Sequence, residues 1–128
     1  MGSLRDLMRD TTVIDKPFRV TRSHRFNRHF QQFVQGAQTV IYDYYLGARD
    51  RADTLSVQKC RGRDLARIVS NYFGYKSAWC FVDLKNGDVL RVESWKDPGR
   101  ARGNIFDEFN GLARVNARGP IYRGRRKP

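Results

Sequence analysis

From Ser23 onward, Phe26, Phe30, Phe33, Val34, Ala37, Val40, Ile41, Tyr44 and Tyr45 recur at steps of three and four residues. That spacing gathers them on one helical stripe, which a fold has to bury. Ser23 is of the type that caps a helix N-terminus through its hydroxyl, and Gly47 suits the left-handed position just past a C-terminus. The opposite face carries Arg25, Arg28, Gln32 and Gln35 and is polar and basic. Upstream, residues 1–22 mix charges of both signs, include Pro17 and keep no period. They read as an arm, with a turn or two of helix over "LRDLMRD".

Beyond the charged loop "GARDRAD" the period moves toward two. Leu55 and Val57 share one side of "TLSVQKCR", and Val57 to Arg61 reads as a strand entering the turn "RGR". "DLARIVSNYF" fits a short helical stripe as well as a strand. Ile68, Val69, Tyr72 and Phe73 favour the strand, as do the glycine turns on both sides. "SAWCFVD" and "DVLRVESW" enclose "LKNG", and Asn-Gly between apolar runs signals a hairpin because both residues tolerate the positive φ of a type I′ turn. Trp79, Phe81, Val89 and Trp95 are expected to fill the sheet. These elements predict an α+β fold: one long amphipathic helix packed on an antiparallel meander of three to four strands, with a basic C-terminal extension. The expected layout is an arm over 1–22, a single domain over 23–122 and a basic tail over 123–128.

Composition supports a packed core, since the 128 residues include two Trp, six Tyr and eight Phe. Charge changes the picture more. Lys and Arg number 25 against 13 acids, a net +12, and Arg outnumbers Lys about three to one. The planar guanidinium grips phosphate with two parallel bonds and stacks on bases, so the expected partner is a nucleic acid, RNA or DNA, ahead of a membrane surface. Cys60 and Cys80 are too few for a disulfide scaffold and read as buried thiols. With only His24 and His29 as further soft ligands and no CxxC pair, neither a metal nor another cofactor is expected. No apolar run reaches the ~18 residues of a membrane helix, and the N-terminus lacks the apolar stretch of a signal peptide. An intracellular location is expected.

Half of the net charge lies after Trp95, where nine Lys and Arg face three acids. Within "KDPGRARGNIFDEFNGLARVNARGPIYRGRRKP", the residues Ile105, Phe106, Phe109, Leu112, Val115, Ile121 and Tyr122 are spaced too regularly for a free tail, so part of the segment should dock on the core. Gly99, Gly103, Gly111 and Gly119 sit among Arg100, Arg102, Arg114 and Arg118. Glycines beside arginines let backbone amides and guanidinium groups approach a phosphate together, as in an extended anion-binding loop. On the plainer alternative the glycines supply turns and the arginines coat a solvated face. The candidate nucleic-acid contacts are Lys96, Arg100, Arg102, Arg114, Arg118, Arg123, Arg125 and Arg126, touching phosphates with little base readout.

The run from Ser77 to Tyr122 resembles the C-terminal motif of a family of short, uncharacterised proteins encoded by tailed phages and other viral genomes. The motif is an aromatic strand, then "NGDVL" (Asn86 to Leu90), "SWK" with Pro98 (Ser94 to Lys96), "ARGNIFD" (Ala101 to Asp107), "NGL" (Asn110 to Leu112) and "GP.Y" (Gly119 to Tyr122). The resemblance implies a viral or phage origin, hence a host-cytoplasm or virion location, and carries no activity with it. The helix before residue 50 lies outside it.

Two other classes compete with a non-enzymatic nucleic-acid binder. A structural or oligomerising protein would use the helix face of Tyr42 and Tyr45 as an interface. A small ribonuclease would draw on His24, His29 and Glu93, but the histidines stand about 140° apart around a helix axis and share no face. No nucleotide-binding, metalloprotease or serine-nucleophile motif is present, and the aromatics of an RNA-recognition motif are missing.

Overall fold

The computed structural model describes residues 19–46 and 49–121. Helix α1 spans His24–Tyr44, and the Ser23 hydroxyl caps it by accepting from the Phe26 amide at 3.1 Å. Phe26, Phe30, Phe33, Val34, Ala37 and Ile41 are buried as the stripe requires. At its end the stripe turns, so that Tyr42 is buried while Tyr44 is 59% exposed. Tyr42 is therefore a core residue and not part of an open interface. Leu46, just past the helix, is left-handed (φ 55), and the expected stop Gly47 lies outside the described residues.

Two polar side chains on the buried side of α1 have specific work. Asn27 accepts from the Val20 and Thr21 amides at 3.1 and 3.0 Å and donates to the Thr21 carbonyl at 2.9 Å, fastening the chain as it enters the helix. Gln38, 1% exposed, donates to the Asp53 carbonyl and accepts from the Leu55 amide, both at 2.8 Å. Its amide thus stands in for a neighbouring strand where the sheet begins.

The sheet has five antiparallel strands in sequential order: β1 Thr54–Lys59, β2 Leu65–Tyr72, β3 Tyr75–Asp83, β4 Asp88–Val92 and β5 Pro98–Asn104. The expected three to four strands are exceeded by β5, whose Pro, Gly and Arg content carries no strand propensity. It is a strand because β4 supplies its partners, with two register shifts along the pairing. The turn between β2 and β3 is a two-residue loop of Phe73 (φ 51) and Gly74 (φ 89), joining the paired Tyr72 and Tyr75. The Asn-Gly loop is not the expected type I′ turn. Only Gly87 has positive φ, and the Gly87 amide reaches back to the Asp83 carbonyl at 2.7 Å across a longer loop.

One face of the sheet packs on α1 through Leu55, Ala66, Ile68, Trp79, Cys80, Val82 and Val89. A register shift between Ile68 and Val69 accompanies the placing of both Trp79 and Cys80 in this core. The other face carries a smaller cluster of Cys60, Leu65 and Phe81, flanked by Ala78, Leu90 and Val92.

The chain after β5 docks on α1 as its apolar spacing predicts. Ile105 is fully buried, and Leu112 packs so closely on Gly36 that any Cβ there would collide with it. Leu112 belongs to a 3-10 segment, Glu108–Arg114, that contains three successive left-handed residues, Phe109, Asn110 and Gly111. A short hairpin of β6 (Val115–Asn116) and β7 (Gly119–Pro120) follows, and the Trp79 indole donates to the Ala117 carbonyl at 3.1 Å. Phe109 and Ile121 do not dock; they are 69% and 43% exposed.

Candidate nucleic-acid interface

Among the described residues, a strongly positive site lies at the end of β1 and the start of β2. An open groove of about 590 Å³ is lined by Gln58, Lys59, Cys60, Arg61, Arg63, Arg67 and Lys96. Five of these seven residues are cations and none is a carboxylate. The turn at Arg61 and Gly62 brings the two strand ends together, and the loop Glu93–Asp97 folds back over the face away from α1 to supply Lys96.

Two arginines hold that loop through main-chain carbonyls. Arg63 donates to the Lys96 carbonyl at 2.9 Å. Arg67 donates through Nε to the Trp95 carbonyl at 2.8 Å and through a terminal nitrogen to Gln58 Oε1 at 2.9 Å. Its guanidinium lies 4.4 Å from the centre of the Trp95 ring and 5.5 Å from that of Phe81. The loop is closed on itself as well, with Ser94 Oγ donating to Asp97 Oδ2 at 3.0 Å and the Glu93 amide to the Asp97 carbonyl at 2.9 Å. Trp95 therefore does not fill the sheet beside Trp79, Phe81 and Val89. It remains 40% exposed over Arg67.

Of the described residues among the sequence candidates, Lys96 alone lines this groove. Arg100 is exposed on β5, the outer edge strand. Arg102 is half-buried further along β5, and its guanidinium donates to the Ala101 carbonyl at 3.1 Å. Arg114 lies near Gly103, its Cβ 4.0 Å from where a Cβ on that glycine would stand. Arg118 is exposed on the loop between β6 and β7, its amide held by Asn116 Oδ1 at 2.8 Å. It belongs to a different neighbourhood, that of Tyr45. The Tyr45 hydroxyl is held above its ordinary range by desolvation first, then by Asp53, Tyr72 and Tyr44, with Arg118 acting in the opposite sense. Arg123, Arg125 and Arg126 lie outside the described residues. The segment thus forms a strand, a turn and a hairpin rather than one extended loop, and its arginines are spread over several neighbourhoods.

Lys59, Arg61, Arg63 and Arg67 are not among the candidate contacts from sequence because they are interleaved with Cys60, Gly62, Asp64, Leu65 and Ala66 at two strand ends. The hairpin and the folded-back loop set them beside Lys96.

A second open groove, about 720 Å³, runs beside α1 between Arg19, His24, Asn27, Arg28 and three glutamines. It has two Lys or Arg residues against five in the first. His29 packs on Phe106 with ring centres 4.8 Å apart and lies 3.3 Å from the Asn110 side-chain amide, and Arg25 covers the same Phe106 ring at 4.3 Å. Among the described residues no group of three His, Cys, Asp or Glu is placed to hold a metal ion, and no helix is long and apolar enough to cross a membrane.

A family profile described as "Family of unknown function (DUF7717)" matches residues 24–122, from the start of α1 to the end of the "GP.Y" element. The chain belongs to the DUF7717 family. The match takes in α1 as well as the sheet and the segment after it, so the helix belongs to the region the family shares. No curated protein and no solved structure matches the chain.

Proposed function

We propose that this DUF7717 protein is a non-enzymatic nucleic-acid-binding protein, of the viral or phage origin that its C-terminal motif implies. It contacts phosphates through the groove of Lys59, Arg61, Arg63, Arg67 and Lys96, with Arg100, Arg102, Arg114, Arg118, Arg123, Arg125 and Arg126 as further contacts. The observation that carries this reading is the groove lining, five cations without a carboxylate. A solvated face normally mixes both signs. Arg63 and Arg67 are already immobilised by the loop, so they meet a ligand with little further loss of freedom.

The test is binding of the intact chain to short labelled RNA and DNA, single- and double-stranded, over a salt series. A log–log slope steeper than about −3 is expected from a groove filling most of its cations. The triple variant Lys59→Ala, Arg61→Ala, Lys96→Ala removes three exposed side chains and leaves the carbonyl bonds of the loop intact. It should flatten the slope by about 2 to 3, whereas Arg123→Ala, Arg125→Ala, Arg126→Ala reports the share of the C-terminal tail. Failure of all four nucleic acids to bind at low salt would sink the reading.

A second reading, a structural or oligomerising protein, is favoured by one observation. Tyr44, Leu46, Tyr72, Phe73 and Tyr75 are all more than 40% exposed, at the end of α1 and the β2–β3 tip. Sedimentation over a concentration series decides it, a single monomeric species counting against it.

A further inference from the structure

Trp95 is the feature that phosphate binding leaves unexplained. The other tryptophan, Trp79, is 4% exposed and hydrogen-bonded in the core, as a large indole usually is. Trp95 instead stands 40% exposed at the groove, adjacent in sequence to its Lys96 and stacked on its Arg67. Its loop is pinned by the Arg63 and Arg67 bonds and closed by Ser94 and Asp97, so the ring is held in place before any ligand arrives. A fixed, exposed indole backed by a guanidinium and bordered by cations has the chemistry that takes a nucleobase on its free surface. Duplex bases are already stacked on one another and cannot present a face to it.

We propose that the groove takes a single strand, one of whose bases stacks on Trp95 while the flanking phosphates meet Lys59, Arg61 and Lys96. This inference rests on the nucleic-acid reading and narrows it to unpaired bases. It also assigns Trp95 a role distinct from the cations: they set the salt dependence, and the indole sets the preference for single strands.

The intrinsic fluorescence of the intact protein tests it directly, since Trp79 is buried and changes in emission report on Trp95. Titration with oligo-dT or oligo-U should quench the emission, and inorganic polyphosphate, which offers the charges without bases, should bind and leave it unchanged. Trp95→Ala should weaken single-strand binding about ten-fold, the loss of one base–aromatic stack, with the salt slope and the affinity for duplex unaltered. Trp95→Phe keeps a ring over Arg67 and should lie between the two. Equal quenching by polyphosphate, or unchanged single-strand affinity in Trp95→Ala, would overturn the stacking while leaving phosphate binding in the groove intact. Absence of binding by every oligonucleotide and by polyphosphate would overturn both.

Discussion

Replacing Gln38 by Met tests whether a helix side chain really completes the sheet. The substitution keeps an unbranched apolar stem of similar volume in a site that is 1% exposed, and it removes both 2.8 Å bonds. The Leu55 amide, in a residue that is also 1% exposed, then has no partner and costs about 1 to 3 kcal/mol. The Asp53 carbonyl is only half-buried and recovers part of its loss from water. The expected destabilisation is about 2 to 3 kcal/mol, a shift of roughly 1 to 2 M in a urea midpoint at unchanged slope. Gln38→Ala adds a cavity and should cost about 2 kcal/mol more. Gln38→Glu separates the two bonds, because a carboxylate accepts from Leu55 and cannot donate to Asp53, whereas the protonated acid can do both. That variant should be weakest at neutral pH and recover on acidification. A Gln38→Met protein within about 0.5 kcal/mol of the parent, the scatter of ordinary surface changes, would refute the bridging role.

Gly111→Ala should destabilise by about 2 to 4 kcal/mol, because the new Cβ combines a left-handed backbone penalty with a position 2.6 Å from the Asn104 carbonyl oxygen. Gly62→Ala, equally left-handed (φ +74) with nothing within 4 Å, should lose only about 1 kcal/mol, and thermal unfolding of the pair separates strain from collision. Phe73→Asn should stabilise the fold by roughly 0.5 kcal/mol in chemical denaturation, since Asn tolerates positive φ at a two-residue hairpin turn, less the lost ring contact with Tyr72. Burial pushes the Cys80 thiol well above its ordinary value of about 9. The folded chain therefore keeps a proton that the unfolded chain releases, so this contribution is complete below pH ~9 and is lost as the pH climbs from there toward the folded value, by up to about 1.4 kcal/mol per unit. Cys80→Ala should flatten the alkaline limb of the stability profile.

Much of the architecture is legible in the residue pattern. A 3.6-residue stripe finds α1 and its Ser23 cap, β-branched runs find β1 to β4, and apolar spacing after β5 finds the docking of Ile105, Leu112 and Val115. The failures have specific physical causes. Polar residues on a helix are assigned to the outside by period alone, so the buried roles of Asn27 and Gln38 leave no trace. A strand such as β5 is specified by its neighbour's open hydrogen-bond edge and not by its own side chains. The turn at Phe73 and Gly74 violates the usual residue preference at its first position. The groove is spatial: Lys59, Arg61, Arg63 and Arg67 form a local run on the hairpin of β1 and β2, but only the folded-back loop brings Lys96 to their side.

That loop has a kinetic consequence. The bonds from Arg63 and Arg67 that fasten it lie at the surface, whereas the strands behind it are anchored in buried contacts. Detachment of Glu93–Asp97 is therefore a local opening that leaves the five-stranded pairing in place. In the open state Lys96 leaves the groove lining and Trp95 its place over Arg67, so on the proposed function the measured affinity would equal the intrinsic value scaled by the closed fraction. The proposed ligand would draw the population toward closure, and amide exchange at Glu93, Ser94 and Asp97 should then slow on binding before any change is seen in the strands. Arg63 and Arg67 thus serve both as latch and as wall.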